Sequence, residues 1–410
     1  MIPLTLTALF IANPLVLHGA RVEVGDGTTL HDATVVIQDG RISYVGPKRA
    51  DAGGDGGAEV IQASGKVLTA GLIEAMSHLG LVEMDLEDTT TDFAPHDDAI
   101  LPAFSAADGF NPSSVLIPVA RAEGVTRAVT SPAGGILWGT GYLAALTGRL
   151  DSRPDRRTPV AMFGGLGTSA AKASGGTRGS AWMRLRQLLA DARLFLDNRT
   201  AAWRGQTHRF VPSPLQLAAM EPVLRRALPL VLSVHRASDI LAALDLARDE
   251  NLRIVIAGGA ESWRVRDQLA AARVPVILTP SDQAPTSFEA LAARDDVSTL
   301  LAAAGVPVII STGNSNHNAR RLRQEAGIAT AHGLDWQKAL TAITLAPAAA
   351  FGRGDELGSV AVGKQADLVL WSGDPFELQT VVERVWIGGA EQSLRTRQKQ
   401  LAARYAGRKR

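Results

Sequence analysis

Short apolar runs punctuate the middle of the chain at Val67–Ala75, Val125–Val129, Pro159–Phe163, Leu230–Val234, Arg253–Ala257, Pro275–Leu278 and Pro307–Ile310. Continuous runs of this length read as strands buried on both faces, where no polar alternation is needed. Helix-length stretches follow several of them, at Ser180–Phe195, Asp239–Asn251, Ser262–Arg273, Val297–Ala304 and Asn318–His332. Strand and helix in alternation predict right-handed βαβ units. Seven such strands make an α/β fold, a (β/α)8 TIM-like barrel over residues 67–356, the economical reading. The Gly134–Gly141 segment around Trp138 reads as a turn-rich hairpin.

The two ends are patterned differently. Val16–Val60 and Leu357–Gly389 hold short β-rich runs, and Gln38-Asp39-Gly40-Arg41 is a strong hairpin signal. Residues 1–12 include the uncharged run Ile2–Ala12, a candidate signal-peptide core, so export to the periplasm or beyond is favoured over a cytoplasmic location. The run is too short for a membrane span. The tail 395–410 carries seven basic residues and no acid.

Composition narrows the functional classes. The 410 residues are 46% hydrophobic, enough for a large buried core, so an ordered globular protein is expected. A net charge of +1 gives no reason to expect nucleic acid as a partner. The absence of cysteine excludes disulfides, thiolate metal sites and cysteine nucleophiles. No Gly-x-Ser-x-Gly elbow and no dinucleotide fingerprint is present.

Residues 67–78 read Val-Leu-Thr-Ala-Gly-Leu-Ile-Glu-Ala-Met-Ser-His. This resembles the opening of the amidohydrolase superfamily, Pro-Gly-Leu-Ile-Asp-x-His-x-His, whose two histidines bind a catalytic metal. His78 stands at the second position and Met76 at the first. A thioether suits a soft ion such as copper(I) better than zinc, so Met76 reads as an apolar packer. Gly363-Lys364-Gln365-Ala366-Asp367-Leu368-Val369 and Thr341–Ala348 also resemble family motifs, and the likeness runs from about Leu15 to Leu394. It implies that residues 13–66 and 357–394 meet as a small composite β-sandwich. Within the superfamily the chain is similar to the imidazolonepropionase and dipeptidase-like branches.

The resemblance also assigns ligand positions. His235, after Leu230–Val234, stands where the family binds metal. After Arg253–Ala257 the family's histidine is replaced by Gly258-Gly259, and after Pro307–Ile310 its aspartate is replaced by Ser311. His317 and Glu261 are the candidates to complete a site, Glu261 as proton shuttle; Arg178, Arg236 and Asn314 are candidates to bind substrate. Two readings follow. In one, a single divalent metal, most simply zinc, activates water against a carbon–nitrogen bond of a cyclic-amide type. In the other, no metal binds, and the barrel is an inactive binding protein or the partner subunit of an active paralogue. A small molecule is the expected ligand in both, with a homo-oligomer or a complex with a paralogue as the expected assembly.

Overall fold

The computed structural model describes residues 14–49, 57–84, 86–94, 99–207, 209–313 and 316–406. The leader-like segment 1–12, Asn314 and the last four residues of the basic tail lie outside the described residues. Two eight-stranded sheets carry the architecture. The first begins with β1 (Leu15–Glu23), β2 (Thr29–Gln38), β3 (Arg41–Pro47), β4 (Glu59–Gln62) and β5 (Val67–Ala70). The second is the barrel: β6 (Leu72–Ser77), β7 (Val125–Thr130), β8 (Leu137–Ala145), β9 (Ala161–Gly165), β10 (Leu230–Val234), β11 (Ile254–Gly258), β12 (Val276–Leu278) and β13 (Val308–Ile310). The chain then returns to the first sheet with β14 (Leu368–Trp371), β15 (Val382–Ile387) and β16 (Ala390–Glu391).

The first sheet joins the two ends of the chain where β14 pairs antiparallel with β5. Its core holds Leu17, Val35, Leu68, Leu368 and Trp386, all essentially buried. The run expected as one strand, Val67–Ala75, is two strands in two sheets. The break falls at Gly71, where a β-carbon would lie 2.1 Å from Thr126 Oγ1, so only glycine lets the chain cross between sheets here.

The barrel follows the order β6 to β13, and its ends nearly close. One strand departs from an all-parallel barrel. β8 runs antiparallel to both β7 and β9. The connection from β7 spans only residues 131–136, too short for a helical crossover, and it turns on Gly134 (φ 120°) and Gly135 (φ 51°). The lumen is filled by side chains, including Met76, Val129, Trp138, Phe163, Val231 and Ile309. It is a packed core and not a pore. The expected helices are present at Arg178–Asp197, Ala237–Asp249, Arg266–Ala272, Val297–Ala303 and Leu322–Ala331. No helix among the described residues is long and apolar enough to cross a membrane.

A buried ion pair fixes the barrel to the end sheet. Arg127 on β7 donates from Nε to Asp367 Oδ2 at 2.6 Å and from Nη2 to Oδ1 at 3.3 Å. The Gly388 amide adds a third bond to Asp367 at 2.7 Å. Both side chains are largely out of water, at 14% and 5% exposure, so removing one partner strands a buried charge. Arg127→Met is expected to lower the unfolding free energy by about 3–5 kcal/mol in urea denaturation. Recovery of much of that loss in Arg127→Met/Asp367→Leu would locate the cost in the orphaned carboxylate; a loss below about 1 kcal/mol in the single variant would show that the pair contributes little.

Candidate active site at the strand ends

The C-terminal ends of the barrel strands are where such folds place chemistry. Midway along β6 the structure places a carboxylate that the sequence reading passed over. Glu74 is fully buried. Its Oε1 accepts from the Met76 amide at 3.2 Å and from the Ser311 hydroxyl in a short bond. Its Oε2 accepts from the Thr312 amide at 3.1 Å and hydroxyl at 2.7 Å. Burial outweighs these four donors and pushes the Glu74 carboxyl up to about 7. When it is protonated, Ser311 can turn its hydroxyl to the Met76 carbonyl, 3.2 Å away. The signal was in the sequence: a lone acid inside the run Val67–Ala75 must be satisfied by partners brought from elsewhere in the fold.

The next residues along β6 separate by environment. Met76 packs into the apolar lumen layer with Trp138 and Phe163 and is 7% exposed. His78 lies at the rim, 5% exposed, with Nδ1 at 2.8 Å from the Ser131 carbonyl and its ring stacked 3.9 Å from that of Phe93.

Across the rim His235 follows β10. Burial pulls its imidazole below the ordinary histidine value, opposed by the nearby Glu289 and Asp282, so the ring is mainly neutral at pH 7. The ring lies over Gly258, where a β-carbon would meet its Cε1 at 2.4 Å. Any side chain at 258 would push the ring away. Glu261, the candidate proton shuttle, accepts at 3.0 Å from the Ala237 amide and so caps the first turn of the helix after β10. Its own amide donates to the His235 carbonyl at 2.9 Å, which splices the loops after β10 and β11 together.

Arg178 is drawn into a charge cluster. Its Nε stands 3.2 Å from Asp239 Oδ2, and its Nη2 3.0 Å from Glu289 Oε2. Glu289 also accepts from the Thr168 amide and hydroxyl at 2.8 and 2.9 Å. Burial raises the Glu289 carboxyl, but Thr168, His235 and Arg178 together outweigh it and leave it below its ordinary value. The Asp239 carboxyl is pushed up by burial, against the opposing pull of Arg236 and Arg178. Glu289 comes from the long loop after β12 and reaches the loop after β9, so it spans the ends of β10 and β11 between them. Arg236 stands 3.8 Å from Asp239 and donates to Ser238 at 3.0 Å. His317 is exposed in the turn Asn316–Arg321, and the Asn314 expectation falls outside the described residues. Glu83, from the acidic loop after β6, accepts from Asn111, Ser114 and the Val115 amide and organises its own loop.

The arrangement brings Met76, His78, His235 and Ser311 to one end of the barrel. It leaves Glu261 facing a helix start and His317 in solvent. Among the described residues no three His, Cys, Asp or Glu side chains are grouped as a metal site would group them.

Comparison with known proteins agrees with the fold. The sequence model of the amidohydrolase family matches residues 292–391. The chain is 25% identical over 402 residues to amidohydrolase tasK of Hapsidospora irregularis, covering 91% of this chain and 41% of that protein. The chain thus spans about two fifths of the length of its curated relative. The crystal structure of an amidohydrolase from Thermotoga maritima superposes with a TM-score of 0.83 at 27% identity, covering 93% of this chain and 100% of the other. A prolidase complexed with N-methylphosphonate-L-proline shares the fold at a TM-score of 0.59 and 18% identity, over 92% of this chain and 99% of that one. The barrel beside a sheet drawn from both chain ends is an amidohydrolase-type architecture. In sequence and in fold the chain is similar to the amidohydrolase superfamily.

The buried Glu74 carboxyl has a thermodynamic consequence. Its folded-state value of about 7 lies above the 4.5 of a free glutamate, so its favourable contribution is complete below pH 4.5 and is lost as pH rises through 7. That interval corresponds to about 3 kcal/mol. Wild-type unfolding free energy is expected to fall across it, and Glu74→Gln to flatten the slope whatever its effect on absolute stability. Parallel urea-midpoint profiles for the two proteins between pH 4.5 and 7 would show that Glu74 does not titrate there.

Proposed function

We propose that this protein is a small-molecule-binding member of the superfamily whose barrel does not run metal-centred hydrolysis, and that it serves as a binding protein or as the partner subunit of an active relative. One observation carries the reading: the positions that hold metal donors in the family's pattern are here committed to building the wall. Met76 fills the lumen, the His235 ring covers Gly258, and the Ser311 hydroxyl is bonded to Glu74. A water-activating cation needs about three protein ligands and an open position. The donors present at the rim do not fit that requirement. What the rim offers a ligand is a neutral imidazole, the Arg178–Asp239–Glu289 cluster and Arg236. Such a mixed set suits a small polar molecule that both donates and accepts hydrogen bonds.

A specific feature favours the hydrolase reading. His78 is oriented by a carbonyl on Nδ1, the arrangement that aims Nε2 of a metal-binding imidazole at its ion. In that reading one zinc ion would sit on His78, His235 and a third donor such as His317, and would polarise the carbonyl of a carbon–nitrogen substrate. Glu261 would move the proton.

Elemental mass spectrometry of protein purified without chelators separates the two. The expected outcome is substoichiometric metal, the same in wild type and in His78→Ala/His235→Ala. Stoichiometric zinc, manganese or iron that disappears in the double variant would overturn the proposal and establish a rebuilt metal site.

A further inference from the structure

A cavity of about 1100 Å³ opens at the opposite end of the barrel from His78 and His235. It lies beneath the N-terminal ends of the strands, where Pro229, Arg253, Pro275 and Pro307 immediately precede β10, β11, β12 and β13. The helices Ala237–Asp249, Arg266–Ala272 and Leu345–Ala350 flank it. Its floor is aliphatic, with Leu244, Leu252, Ile254 and Val255. Alanines at 247, 271, 272, 346, 349 and 350 keep it wide where larger side chains would fill it.

The charge on its rim is one-sided. Arg226, Arg248, Arg253 and Arg273 line it against a single acid, Asp245, which pairs with Arg248 at 3.0 Å. Among the described residues the other three arginines meet no carboxylate. Arg226 donates to the Asn251 side-chain carbonyl at 2.6 Å, and Arg253 to the Arg226 backbone carbonyl. Three uncompensated guanidiniums around an aliphatic trough are complementary to one kind of molecule, an anionic head on an alkyl tail.

We propose that this basal cavity binds a medium- to long-chain monocarboxylate, with the tail on the aliphatic floor and the carboxylate among Arg226, Arg253 and Arg273. The site is separate from the rim and stands whether or not the reading of the rim is correct. Nothing in it calls for a covalent step; it is a binding site.

Isothermal titration calorimetry with decanoate tests it, with acetate and decyltrimethylammonium as comparators. Wild type is expected to bind decanoate saturably at one per chain, with both comparators at least tenfold weaker. Arg226→Gln/Arg253→Gln/Arg273→Gln should weaken decanoate at least tenfold with little change in melting temperature. Ala271→Trp plugs the trough from an exposed helix position without altering any charge, and should abolish binding. The proposal is overturned by the absence of saturable binding, by decyltrimethylammonium binding as tightly as decanoate, or by decanoate binding that both variants leave intact. A concentration-dependent dimer in sedimentation that Ala271→Trp disperses would also overturn it, since the occupant would then be a second copy of this chain.

Discussion

The structure turns on how the barrel closes between its first and last strands. β6 and β13 are the two ends of the barrel's strand order, and a single buried carboxylate stitches them together near their C-terminal ends. Glu74 takes donors from both sides of that seam, the Met76 amide from β6 and Ser311 and Thr312 just beyond β13. A carboxylate has acceptor capacity for all of them, whereas a neutral side chain of similar size would leave a buried amide unanswered. The cost is the desolvation that raises its pKa to about 7. An apolar seam would avoid that cost but would orphan the Thr312 amide.

That closure constrains the chemistry of the rim. Ser311 follows the last barrel strand, where a carboxylate would have to share the seam with Glu74. Two carboxylates so close cannot both be ionised without a cation between them. A hydroxyl resolves the conflict, because it can donate to Glu74 or to the Met76 carbonyl according to whether Glu74 carries its proton. Met76 fits the same logic: with Glu74 answered by its own four donors, the space beneath it is filled by an apolar side chain among Trp138 and Phe163. The substitutions at 76 and 311 thus form one coupled packing solution around Glu74.

Much of the fold was legible in the sequence because buried parallel strands leave continuous apolar runs, and these marked all but one of the barrel strands. The exception, β8, was hidden because it is antiparallel and Gly-rich; Trp138 and the glycines around it read as a turn-rich hairpin, whereas only Gly134 and Gly135 lie in the turn and Trp138, Gly139 and Gly141 lie on a barrel stave paired with β7 and β9. The division of Val67–Ala75 between two sheets could not be read from periodicity, since both halves are apolar; it depends on Thr126 leaving no room for a side chain at 71. At the rim, His78 and His235 could be located because they follow strand ends. The partners of Arg178 could not. Asp239 lies 61 positions away and Glu289 111, and only the loop that reaches from β12 to β9 brings the second of them within range.

Retained motif residues are weak evidence of retained chemistry when each has a part in the wall. The His78 ring is stacked on Phe93 and tied to the Ser131 carbonyl, so it anchors the loop after β6 to the loop after β7. The His235 ring occupies the space over Gly258, and its carbonyl holds Glu261, whose carboxylate in turn caps the helix after β10. An imidazole suits such duties, because it is flat enough to stack and carries a polar atom on either edge. A chain that had lost its metal would still keep both histidines for these contacts. The residues at 76, 258 and 311, where this sequence departs from the pattern it otherwise follows, serve the same wall: Met76 fills the lumen, Gly258 leaves room for the His235 ring, and Ser311 bonds Glu74.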